Sequence, residues 1–230
     1  MSEGVGVASA VRVSLEIAFW CALMGFPPAC ALGWGLARRD FPGKTLVSAL
    51  LMGPLVLPPV VTGYLLLSIF GRFGALGRLL ASFGVEIPFT FGGAVVASLV
   101  VGFPLYVMAA RSAFDAVDPR LEQAAQSFGL TPARAFFKVT LPLALPGLAA
   151  GAILAFARAL GEFGATIVLA GSMEGRTRSI ALAVYALLEE PGGEAKTARL
   201  LWASVALSAL ALAGYEWLWR RQRAKLEVRP

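Results

Sequence analysis

Apolar residues in this chain gather in long runs, not in the short amphipathic stripes of a water-facing fold. The first run extends from Val13 to Ala37, with Glu16 near its start, and closes at the charged turn Arg38-Arg39-Asp40-Phe41-Pro42-Gly43-Lys44. About 20 helical residues cross a hydrocarbon core, so this run is predicted to span a membrane. Pro27 and Pro28 should bend it, and neighbouring helices must then satisfy the freed carbonyls. The second run, Thr45 to Phe70, contains Pro54, Pro58 and Pro59. Each proline removes a backbone donor and crowds the preceding turn, so a broken or kinked helix is predicted. Residues 71–88 read as an extramembrane loop with room for a short surface helix. The third run, Phe89 to Ala110, ends at Arg111, and its Gly92, Gly93 and Gly102 suit close helix packing. A fourth run starts near Leu143 and is predicted to continue past Arg158 and Glu162 to about Gly171. Ser179 to Leu188 is apolar but only ten residues long, which predicts a re-entrant or interfacial piece. The last run, Leu200 to Trp219, has Trp202 near one end and Trp217 and Trp219 near the other, as in aromatic belts.

The longest polar stretch, Asp118 to Lys138, has a different pattern. Asp118 is suited to cap a helix and Pro119 to occupy its first position. Leu121, Ala124, Ala125 and Phe128 then recur at helical spacing on one face, and Gly129 should end the helix. Thr131-Pro132 repeats the cap-then-proline start. The prediction is helix, glycine turn, helix, lying outside the bilayer.

Composition extends the membrane reading to the whole chain. Of 230 residues, 58% are hydrophobic and 15% charged, whereas soluble domains carry about 25% charged residues. The expected fold class is all-α and integral to the membrane, with about five transmembrane helices in a single domain, residues 1–230. The net charge of +6 punctuates the apolar runs and forms no basic stripe. Nucleic acid is therefore not an expected partner, whereas the lipid bilayer is. The sequence has no histidine, the commonest metal ligand and general base. Cys21 and Cys30 cannot pair on one helix face, so no metal site is expected, and no set of nucleophile, base and metal points to an enzyme. No basic residue precedes Arg12, and the first run outlasts the roughly 7–15 apolar residues of a signal peptide, so it is expected to be retained.

Charge also predicts topology. With five spans, the segments 38–44, 111–138 and 220–230 share one side and hold twelve Lys and Arg, against six on the other side. The positive-inside rule then places the N-terminus outside, and the C-terminus and the 111–138 loop in the cytoplasm.

The polar loop reads Leu121-Glu122-Gln123-Ala124-Ala125-Gln126-Ser127-Phe128-Gly129, then nine residues, then Val139-Thr140-Leu141-Pro142. It resembles the coupling loop of permease subunits of ATP-binding-cassette (ABC) importers, which runs Glu-Ala-Ala, a short spacer, Gly, a longer spacer, an isoleucine-like residue, one more, Leu-Pro. Ala124, Ala125, Gly129, Leu141 and Pro142 match, and Val139 takes the isoleucine place. Gln123 stands where the pattern has glutamate, with Glu122 beside it as the candidate substitute. Further stretches resemble the molybdate-type permeases: Leu57-Pro58-Pro59-Val60-Val61-Thr62-Gly63, the segment Ala157-Arg158-Ala159-Leu160-Gly161-Glu162-Phe163-Gly164-Ala165-Thr166, and Glu190-Pro191-Gly192-Gly193-Glu194. The Gly-Glu-Phe-Gly-Ala-Thr stretch points to the molybdate, tungstate and sulfate group, and the short length to its molybdate end.

The resemblance implies a type I ABC importer permease bundle in the cell inner membrane. It implies a homodimer with a second copy of the chain, two cytoplasmic ATP-binding cassette subunits that bind ATP and Mg, and an extracytoplasmic oxyanion-binding protein. No cofactor is expected in this chain itself. The cargo implied is molybdate or tungstate, with sulfate or another oxyanion as the alternative. Residues 111–141 become the coupling loop, with Glu122, Gln123, Ala124, Ala125, Phe128, Gly129, Pro132, Leu141 and Pro142 as its candidate residues. A stand-alone secondary transporter also accommodates proline-broken helices and intramembrane charges, but has no need of a glycine-hinged docking loop. Gly43-Lys44-Thr45 has the ending of a phosphate-binding loop, but Arg38 occupies the position where that loop needs its first glycine.

For the translocation path the candidates are Pro59, Thr62, Arg158, Glu162 and Thr166, on the second to fourth helices. Arg158 and Glu162 are four apart and share a helix face. They form either a structural ion pair or a site where Arg158 attracts a divalent oxyanion and Glu162 keeps it from binding too tightly. Gly147 to Gly151 is small enough for the fourth helix to pack tightly, which suits a dimer axis.

Overall fold

The computed structural model describes residues 3–190 and 193–227, so Pro191 and Gly192 of the Glu190–Glu194 motif lie outside the described residues. The described residues form helices and no strand. α1 (Glu3–Arg38) carries Pro27 and Pro28 within it. α2 (Lys44–Val56) and α3 (Pro59–Phe70) share the second apolar run and meet at an angle of 111°. The cause lies at Leu57 and Pro58. Each precedes a proline, which disfavours the helical region, and both are extended, with ψ of 142° and 133°. Pro54 sits inside α2 without ending it. A short surface helix, α4 (Ala75–Ala81), follows in the predicted loop.

α5 (Phe91–Asp115) is the third run, and Thr90 caps it by accepting from the backbone N–H of Gly93. After α6 (Pro119–Ser127) the chain turns and enters α7 (Pro132–Ala135), a π-helical turn at Phe136–Thr140, and α8 (Leu141–Leu160). These last three form one helix of 29 residues. The second helix of the polar stretch is thus the base of the fourth span and not a separate element. The fourth run also stops earlier than predicted. It breaks at Gly161-Glu162-Phe163, and α9 (Gly164–Leu169) follows. α10 (Ile180–Leu188) is the short apolar piece, and α11 (Glu194–Glu227) ends the described chain. Among the described residues four helices are long and apolar enough to cross a membrane, and the bent pair α2 and α3 makes a fifth span when counted as one.

α1, α5 and α8 pack on one another as the centre of the bundle. Their contact is built from small side chains around a few large ones: Ala110, Ala113 and Ala144 surround Phe114 and Leu148. Without a hydrophobic drive inside lipid, such close backbone approach supplies the attraction. A Cβ on Gly33 would stand 2.7 Å from that of Ala110, and one on Gly151 2.9 Å from that of Ala109. Gly151, expected at a dimer axis, is therefore used inside the chain against α5. Tyr106 on α5 donates its hydroxyl to the carbonyl of Ala22 on α1 at 3.1 Å. The Ser14 hydroxyl on α1 accepts from the N–H of Ile180 at 2.7 Å and fixes the start of α10. α11 lies on the outside, from Leu200 beside Ala10 and Ile180 to Gly214 beside Ile153. α2 buries none of its residues.

Candidate functional site

A hairpin at one end of the bundle and a charged cluster inside it are the two polar regions that the sequence singles out. Both predicted caps of the hairpin form. The Asp118 carboxylate accepts from the N–H of Arg120 at 2.9 Å, and the Thr131 hydroxyl from that of Arg134 at 3.4 Å. Gly129 turns the chain at φ +89°, a conformation that a side chain disfavours. The N–H of Leu130 closes the end of α6 on the carbonyl of Ala125. The predicted apolar face divides: Leu121 and Ala125 are half-buried, whereas Ala124 is exposed together with Gln123, and Phe128 is 90% exposed. Pro132 opens α7, and Leu141 and Pro142 open α8.

Glu122 turns inward. Its carboxylate accepts a hydrogen bond from the hydroxyl of Thr140 at 2.8 Å, and Thr140 has no exposed surface. Glu122, the candidate substitute for the motif's glutamate, is thus bonded within the chain to Thr140. Thr140 escaped notice because it fills the unspecified position between Val139 and Leu141. The ring of Phe136, in the same π turn, packs edge-on against Trp34 of α1 at 5.4 Å and tilted against Phe114 of α5 at 6.1 Å. The Arg38 guanidinium, at the end of α1, donates to the carbonyl of Val117. A cavity of about 590 Å³ opens between the end of α1 and the hairpin, lined among others by Trp34, Arg38, Gln123 and Phe137.

The charged cluster sits at the break in the fourth span. Glu162 is 2% exposed. One carboxylate oxygen takes the Arg158 guanidinium at 2.8 Å, and the other accepts from the N–H of Ala165 at 2.9 Å. A single side chain therefore pairs the arginine and satisfies a backbone donor at the start of α9, which hydrocarbon would leave unmet. Arg158 runs along α5, with its Cγ 3.6 Å from the place of a Cβ on Gly102. On the other side α9 lies directly on α3. A Cβ on Gly63 would come within 2.8 Å of the Cα of Ala165, and one on Gly164 within 2.8 Å of the Cβ of Pro59. Two motifs far apart in sequence thus meet backbone to backbone. Thr62 and Thr166, on these two helices, are buried, and their hydroxyls have no hydrogen-bond partner among the described residues. The structure joins Arg158 to Glu162 and sets Pro59 against Gly164, so all five path candidates lie on α3, on α9 or at the break before α9.

Residues 29–224 match the family of binding-protein-dependent transport system inner membrane components, a stretch that includes both the hairpin and the break. The chain belongs to this family. Among relatives of this inner membrane component, the molybdenum transport system permease protein ModB of Haemophilus influenzae is 47% identical, over 95% of this chain and 96% of its own. The sulfate transport system permease protein CysT of Salmonella typhimurium is 36% identical, over 87% of this chain and 74% of its own. A chain of the inward-facing MetNI methionine ABC transporter superposes on 95% of this inner membrane component, and on 94% of itself, with a TM-score of 0.67 at 19% identity. The predicted fold class, an all-α membrane bundle of the ABC importer permease kind, is borne out.

Proposed function

We propose that this chain is the membrane-spanning subunit of an ABC importer for molybdate or tungstate, and that it supplies the path while separate subunits hydrolyse ATP. The observation that carries the cargo is the 47% identity to the molybdenum permease over nearly the full length of both chains, against 36% to the sulfate permease. Two copies of the chain enclose the path on their symmetry axis. Two cytoplasmic ATPase subunits dock on the coupling loop, residues 111–141, and an extracytoplasmic oxyanion-binding protein delivers cargo to the opposite face. The N-terminus lies outside and the C-terminus in the cytoplasm. The chain carries no ATPase site of its own.

Arg158, Glu162, Thr62, Thr166 and Pro59 belong to the path. The unpartnered buried hydroxyls of Thr62 and Thr166 support this reading, because buried polar groups ordinarily find partners. The test is uptake by proteoliposomes containing the whole complex with its binding protein. Labelled molybdate should enter only with ATP, tungstate should compete, and excess sulfate should not. Sulfate entering at the molybdate rate would transfer the assignment to the sulfate group, and uptake without ATPase subunits would replace it with a stand-alone carrier.

A further inference from the structure

We propose that the hydrogen bond between Glu122 and Thr140 is the mechanical link by which movement of α6 reaches the membrane-spanning helix α8. The inference rests on the reading of the hairpin as the ATPase docking element. It gives Glu122 and Thr140 a role that neither the motif nor the family assignment supplies.

The hairpin's backbone changes direction at one residue. Gly129 is left-handed and exposed, and no atom lies within 4 Å of the place where its Cβ would stand. Through the backbone alone, α6 is thus attached to α7 by a pivot. A pivot lets α6 rock without moving α8, which would waste a push from the docked partner. Glu122 crosses that pivot. It sits in the first turn of α6, at the end far from Gly129, and reaches Thr140, the last residue of the π turn. Pivot and hydrogen bond together join α6 to the helix base at two separated points, and two points fix an orientation where one does not.

The far side of the π turn is held as well. Phe136 is wedged between Trp34 and Phe114, so the turn lies between Glu122 and the ends of α1 and α5. From Pro132 to Leu160 the helix then runs unbroken for 29 residues, about 43 Å at roughly 1.5 Å each. It ends beside Arg158 and Glu162. A displacement applied at Thr140 therefore arrives at the charged break, where the span changes direction. Thr140 is completely buried. It cannot touch an ATPase subunit, so any effect of its hydroxyl on coupling passes through Glu122.

The experiment uses the full complex in proteoliposomes and reads molybdate taken up per ATP hydrolysed. Thr140→Val removes the donor while keeping the shape, and Glu122→Ala removes the acceptor. Each should lower the ratio about tenfold, the size of one hydrogen bond to a charged group. The double variant should be no worse than either single one. Thr140→Ser and Glu122→Gln keep a donor and an acceptor and should retain most of the ratio. Co-purified ATPase subunit, measured for each variant, separates lost attachment from lost transmission. An assembled Thr140→Val complex with the wild-type ratio overturns the proposal, as do losses that multiply in the double variant. If the wild-type complex itself shows no ATP-dependent uptake, the importer reading fails first.

Discussion

Glu162 meets Arg158 at 2.8 Å at the place where the helix bearing Arg158 comes to an end. The pair therefore belongs to a helix break, and its carboxylate also caps the short helix that follows. Glu162→Ala would leave Arg158 unpaired at a cost of at least about 2.5–3.5 kcal/mol on insertion scales, and strip a cap worth about 1 kcal/mol. The yield of folded protein from membranes should fall sharply. The double change Arg158→Met with Glu162→Gln should recover it, because the Gln amide oxygen still accepts from Ala165. Size-exclusion profiles and melting curves check this. Uptake by the recovered variant then divides the roles: normal uptake marks the pair as structural, and poor uptake marks Arg158 as attracting the anion.

The contact of α3 with α9 has no room for another carbon. Gly63→Ala brings a methyl 2.8 Å from the Cα of Ala165, and overpacking of this kind costs about 1–3 kcal/mol. The melting temperature in detergent should drop. Gly35, inside α1, has nothing within 4 Å of its would-be Cβ. Gly35→Ala should be neutral or stabilise by up to about 1 kcal/mol. Equal melting temperatures for the two variants would argue against the α3–α9 packing.

Phe128 is a large aromatic side chain, 90% exposed, at the tip of the hairpin. Aromatic anchors that enter a partner's pocket commonly contribute about 2 kcal/mol or more. Phe128→Ala should weaken attachment of the ATPase subunit roughly thirtyfold, read by titrating that subunit onto the chain in nanodiscs. Unchanged affinity would mean that the hairpin docks by another face.

Orientation can be read from one introduced thiol. In a variant whose Cys21 and Cys30 are replaced, Gln126→Cys should react with an impermeant reagent only after cells are opened. Gln126 is exposed, so access to the thiol depends on the side of the membrane alone. Labelling of intact cells would reverse the assigned topology.

Local chemistry was legible wherever neighbouring residues alone decide the backbone. Asp118-Pro119 and Thr131-Pro132 announced two helix starts, and both caps form. Pro58 and Pro59 announced a broken second span, because proline biases the residue before it out of the helical region; the same bias leaves α1 unbroken at Pro27 and Pro28. The size of that bend was not legible, since it follows from how α3 seats on α9. The fourth span was read through to Gly171, because apolar content does not fall at Gly161 and Phe163; only the doubly bonded Glu162 marks the break. The hairpin residues of the coupling motif were found from spacing. The inward turn of Glu122 was hidden, because its partner lies 18 positions away in a slot the motif leaves open.

The π turn at Phe136–Thr140 winds more residues into its turn than the α-helix above it. It therefore sets the angular phase between the hairpin and everything that follows. Inserting one further residue here would rotate α8 by about 100° relative to α6. Gly151, now against α5, and Arg158, now against Gly102, would swing away from their neighbours together. Substitutions within this segment change single contacts, whereas one inserted residue re-indexes the whole span.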